Sequence, residues 1–153
     1  MEAIFEKDEY LYPDEDTSRN KLQRVALFAI YDALTYLDMN EAIDVEGIVS
    51  SLFNKPYEEC DYFVKAALIL SIKHLEEIEK VFDEVLDKWS FSRRNRVEQA
   101  IYLLAYVHYF YIDEKVDKGV VIDIALRQCK EYVNTKNNEH KRVNAVLDKV
   151  LHR

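Results

Sequence analysis

"WSFSRRNRVEQAIYLLAYVHYFYI", Trp89 to Ile112, is the stretch whose reading decides the fold. Arg93, Arg94 and Arg96 crowd just ahead of the most apolar segment of a protein whose formal net charge is -8. From about Val97 the apolar residues keep to no single face of a helix. Ile101, Leu104 and Ala105 lie on one side, Tyr102, Tyr106 and Tyr109 on another, and Leu103, Val107 and Phe110 on a third. A helix that is apolar all round is normally surrounded by other helices. The segment therefore predicts a central helix, with the arginines as its polar entry, their stems covering apolar surface while their heads reach water.

The remaining sequence supplies the surrounding helices. "DTSRNKLQRVALFAIYDALTYLDMN" offers Thr17 or Ser18 as an N-cap, and Leu22, Val25, Ala26, Ala29, Ile30, Ala33, Leu34 and Leu37 then recur at helical spacing. "EAIDVEGIVSSLF" is a shorter pattern ended by "NKP", and Pro56 stands where a third helix can begin, since Pro is tolerated in a first turn. "YEECDYFVKAALILSIKHLEEIEKVFDEVLDKW" is too long for one ordinary helix and is expected to break near Ser71 to His74. In its second half Ile78, Val81, Phe82, Val85 and Leu86 form a buried stripe, and Glu76, Glu79, Lys80, Asp83 and Asp87 a solvated face. "GVVIDIALRQCKEYV" and "EHKRVNAVLDKVLHR" predict two more helices, about seven in all.

Composition agrees with an all-α domain. Gly and Pro occur twice each in 153 residues, hydrophobic residues make up 49% and charged residues 33%, a mixture that suits tightly connected helices better than a turn-rich β-fold. The division expected is an acidic arm over residues 1 to 16 and a single domain over 17 to 153. The longest apolar runs, "IYLLAYV" and "AALIL", are far shorter than a membrane span, and the acidic N-terminus does not resemble a secretory signal, so a cytoplasmic location is expected. Cys60 and Cys129 have no neighbouring ligand pattern and are expected to be free and buried.

Charge is unevenly placed. Residues 1 to 16 carry seven acids and one base, whereas residues 88 to 153 carry eight acids and thirteen bases. An acidic protein with a basic third can still present a phosphate-binding surface. Three basic clusters stand out: Arg19, Lys21 and Arg24; Arg93, Arg94 and Arg96; and Lys141, Arg142 and Lys149. Each alone is what a solvated helix face provides, so phosphate binding requires at least two to converge.

Other chemistry finds little support. Neither GxGxxG nor GxxxxGK[ST] is present, so there is no glycine-rich phosphate cradle. A Glu-x-x-His di-iron pair is absent, because Ser71, Ala105, Asn137 and Lys149 stand three residues before the four histidines. Zinc-ligand spacing and a nucleophile elbow are missing as well, and no cofactor, metal or catalytic residue is expected. His108 reads as a satisfied core histidine.

Taken together, "DKW...R...VEQAIYLLAYVHY", "VVIDIALRQCKEY", "HKRVNAVLDKV" and "ALFAIY" at Ala26 to Tyr31 resemble the NusB family of bacterial transcription antitermination factors, in order and spacing from about residue 18 to 151. The resemblance implies two packed three-helix bundles with an additional helix. It implies binding of boxA-like single-stranded RNA jointly with the NusE-type small-subunit ribosomal protein, indirect action on the RNA polymerase complex, and no catalysis. By the same resemblance Arg19, Lys21 and Arg24 are RNA-binding candidates and Glu98 is the partner-facing acid; Lys141 and Arg142, of the third basic cluster, join the RNA-binding candidates.

Several positions depart from the family pattern. The usual RRxAR opening reads Arg19, Asn20, Lys21, Leu22, Gln23, with Arg24 following. Leu103 replaces an Arg, His108 a Glu, and Ala145 the Gly of VNG, while "IDIA" at Ile122 to Ala125 replaces INEA. An alternative is therefore a protein-binding adaptor of the same fold without RNA affinity. A third reading is the NusB-like RNA-binding domain of rRNA cytosine methyltransferases, whose catalytic domain would begin about where this chain ends. Monomer and homodimer are both compatible with the sequence.

Overall fold

The computed structural model describes residues 14–88, 90–133 and 136–153. All regular elements among them are helical, with seven α-helices as expected. Most of the acidic arm lies outside the described residues. The chain divides into two compact units, the first ending at Ile69 and the second spanning Leu70–Arg153.

In the first unit the first helix among the described residues is α1, Asp14–Asp38. The helix starts earlier than expected, so Thr17 and Ser18 lie inside it instead of capping it. Val25, Ala26, Ala29, Ile30, Ala33 and Leu34 are buried as the spacing predicts, but Leu37 is exposed because the helix is about to end. Asn40, in the left-handed conformation, terminates that end of the chain segment.

α2, Val45–Phe53, is capped by Asp44, whose Oδ1 accepts from the Gly47 N–H at 3.0 Å. A side chain at position 47 would collide with that carboxylate, which accounts for one of the two glycines. Ile48, Val49 and Leu52 are buried, and α2 packs on α1. Pro56 does not open a helix directly. It leads into the 3-10 turn Tyr57–Glu59, and α3, Tyr62–Lys73, starts only where Asp61 Oδ2 can accept from the Val64 N–H at 3.1 Å. Cys60 and Cys129 are free and buried.

In the second unit α4, Leu75–Asp83, follows a break at His74, within the expected window. Ile78, Phe82 and Leu86 are buried, yet the helix stops before Val85. Asp83 is not merely solvation: its Oδ1 accepts from the Phe91 N–H at 2.7 Å, fixing the 3-10 turn Phe91–Arg93 beneath the next helix. That helix, α5, is Arg96–Val107, capped by Asn95 Oδ1 accepting from the Glu98 N–H at 2.8 Å. Every residue from Ala100 to Val107 is buried, as the all-round apolar pattern requires.

α5 runs into a π-helical turn, His108–Ile112, closed by the Asp113 N–H donating to the His108 carbonyl at 3.0 Å. α6, Lys118–Tyr132, and α7, Glu139–Val150, pack on each other and on α5. Arg153 clasps the π-turn: Nη2 donates to the carbonyls of Tyr109 and Asp113, both at 2.8 Å, and the guanidinium lies 4.0 Å from the centre of the Tyr109 ring.

His108 is buried, and burial holds its imidazole below its ordinary pKa, partly offset by Asp113. A histidine whose folded pKa is depressed contributes stability above its unfolded value of about 6.5 and loses it as pH falls through the folded value. The stability difference between the wild type and His108→Gln, read from urea midpoints, is therefore expected to shift against the wild type from pH 7 to pH 5. A difference independent of pH over that range would show that His108 does not titrate this way.

Candidate functional site

The three basic clusters have different fates. On α1, Arg19 is exposed, Lys21 is half-buried, and Arg24 is only 6% exposed. Lys21 and Arg24 are three residues apart on one side of the helix, and Arg19 points elsewhere. The first helix thus offers less accessible positive charge than its sequence suggests.

The second and third clusters converge. Arg94, from the turn before α5, and Arg142 and Lys149, from α7, line one groove of about 390 Å3 together with Lys88. Val85, Leu86, Ala145 and Val146 form its apolar lining, and Asp87 is the one acid among the described lining residues. Arg93, Arg96 and Lys141 are not part of this lining. The local excess of positive charge stands out in a protein of net charge -8.

A buried ion pair fixes one wall. Glu98 is 1% exposed, and its carboxylate accepts from Arg142 Nη2 at 2.6 Å, Arg142 Nε at 3.1 Å and the Tyr102 hydroxyl at 2.8 Å. The two-point geometry holds the guanidinium plane in one orientation. The Glu98 hydrogen bond pushes Arg142 further above its ordinary pKa, and burial, then Glu98, push the Tyr102 hydroxyl up. Nearby, burial beside Glu98 pushes the Cys129 thiol up to about 11.

Arg94 is held through its backbone. Gln99 Nε2 donates to its carbonyl at 2.8 Å, holding the turn, and its own Nε, shielded from solvent, meets no hydrogen-bond acceptor among the described residues. Sequence reasoning missed the convergence of Lys88 and Arg94 on Arg142 and Lys149 and the link between Glu98 and Arg142. The pair is separated by 44 residues, so no local pattern announces it.

A second groove, about 530 Å3, lies in the first unit between α1 and α2. Asp32, Glu41 and Asp44 make it acidic, with Tyr36, Met39 and Ile48 as its apolar contribution. Burial raises the pKa of Asp32. No group of three or more potential metal ligands occurs among the described residues, and none of their helices is long and apolar enough to cross a membrane.

Comparison with known proteins places this architecture. The transcription antitermination protein NusB of Lysinibacillus sphaericus is 29% identical over 110 residues, covering 72% of this chain and 82% of its own. That of Treponema denticola is 34% identical over 88 residues, covering 58% and 62%. Among solved structures, NusB of T. maritima superposes with a TM-score of 0.71 at 24% identity, covering 88% of this chain and 91% of its own, a likeness of fold. With the NusB family pattern matched from residue 23 to residue 152, across both units, the chain belongs to the NusB family.

Proposed function

We propose that this chain is an antitermination factor of the NusB type, acting in the cytoplasm without catalytic activity of its own. It binds boxA-like single-stranded RNA together with a NusE-type small-subunit ribosomal protein, and through that assembly acts on the transcribing RNA polymerase. The observation that carries this reading is the family match over residues 23–152, with relatives named as transcription antitermination proteins.

Arg19 and Lys21 supply the first-helix phosphate contacts, with Lys141 and Arg142 contributing from α7, whereas Arg24, a candidate by sequence, is folded inward. Glu98, 1% exposed, does not itself face a partner; its part is to orient Arg142. Because Arg24 is buried, the test uses Arg19→Gln with Lys21→Gln. Removing two phosphate contacts from a single strand is expected to flatten the slope of log affinity against log salt by about 1.4. An unchanged slope would remove the first helix from the RNA surface.

The burial of Arg24 and the loss of the family's arginine-rich opening also support a second reading, a protein-binding adaptor without RNA affinity. Pull-down with and without nuclease separates the two. RNA-dependent partners vanish on nuclease treatment, and the partners of an adaptor persist.

A further inference from the structure

We infer that the groove formed by Lys88, Arg94, Arg142 and Lys149 is a second phosphate-contact site that holds the backbone of single-stranded RNA. The inference rests on the RNA-binding reading above and extends it from Arg142 to Lys88, Arg94 and Lys149, which that reading does not include. Four cations from two distant stretches of chain face a groove of about 390 Å3 whose described lining contains one acid, Asp87, and with Glu98 paired to Arg142 behind it four cations still stand against two acids. Electrostatics at that density favours an anion, and the two arginines offer planar donors suited to phosphate oxygens.

Three features favour a backbone over a base or a peptide. Among the described residues no aromatic side chain lines the groove, so none of them offers a platform on which a base can stack. Arg142 is held rigidly by the buried Glu98 carboxylate, and Arg94 Nε is a shielded donor with no acceptor of its own among the described residues. The exposed Lys88 and Lys149 add point charges beside the two guanidinium groups. An acidic peptide would present carboxylates at irregular spacing, whereas a nucleic-acid strand brings one phosphate per nucleotide to a row of cations. Contacts of this kind position a strand and carry no sequence information.

The experiment measures binding of a boxA-like RNA and of the same bases in scrambled order, across a salt series, to the full chain and to Arg94→Gln with Lys149→Gln. Arg142 is left intact because its loss would strand Glu98. The variant is expected to flatten the salt slope by about 1.4 with both RNAs, and the Arg94 Nε–H resonance of the wild type is expected to move on RNA addition. Wild-type RNA binding with an unchanged slope in the variant and an unmoved Arg94 resonance would overturn the groove assignment and leave the RNA-binding reading standing. Absence of RNA binding by the wild type would sink that reading and the groove assignment with it. Loss of a protein partner with RNA binding unaltered would assign the groove to an acidic peptide instead.

Discussion

Arg142→Ala is expected to destabilise the protein by about 3–5 kcal/mol, the cost of leaving a buried charge without its partner. Glu98 is 1% exposed and would retain only the Tyr102 hydroxyl among its three donors. Glu98→Ala should cost less, about 1–3 kcal/mol, because the Arg142 side chain is 33% exposed and its head can turn toward water. Substituting both residues by leucine should recover much of the loss, since well-packed apolar side chains can replace a buried ion pair. Urea midpoints of the four proteins test the ordering. Equal losses for the two alanine variants, with nothing recovered in the double substitution, would show that the pair is not a buried unit. Arg142→Lys should fall between, keeping the charge and losing the two-point geometry.

Phe82→Ala is the second large effect, about 3–5 kcal/mol, lowering Tm by on the order of 10 °C. Phe82 is completely buried at the centre of a ring cluster, 4.7 Å from the Tyr102 centroid, 5.9 Å from that of Phe91 and 6.1 Å from that of Tyr106. It and Ile78 are the two buried residues of the nine-residue α4, so its removal opens a cavity and loosens the helix together. Phe82→Leu keeps most of the volume and is expected to cost less than half as much. Phe91 belongs to the turn leading to Arg94, so the alanine variant should also weaken groove-dependent RNA binding. A calorimetric Tm within about 2 °C of wild type would contradict the placement of Phe82 at the centre of the cluster.

Periodicity carried the helices because burial acts on every turn. The all-round apolar run from Ala100 to Val107 is buried throughout, and the break at His74 falls where a helix of that length must end. Local deviations were less legible. The 3-10 turn after Pro56 and the π-turn at His108–Ile112 preserve a helical pattern while changing its hydrogen bonds, which apolar spacing does not register. Asp83 looked like an acid on a wet face and instead fixes the Phe91 amide, a contact that depends on a turn geometry set by tertiary packing.

The candidate site was legible in part. The basic residues were visible one cluster at a time, and Glu98 was singled out by family resemblance. What the linear order could not reveal was the convergence of Lys88 and Arg94 with Arg142 and Lys149, or that Arg24 is folded inward. Both depend on contacts between residues far apart in the chain, or on how deeply one helix face is covered.

The most direct test is binding of boxA-like RNA to the purified protein, with and without the NusE-type ribosomal protein, across a salt series. Antitermination-type assembly predicts tighter binding in the ternary mixture, with affinity falling steeply as salt rises. No RNA binding in either mixture would contradict the account and leave a NusB-family fold that works as a protein adaptor.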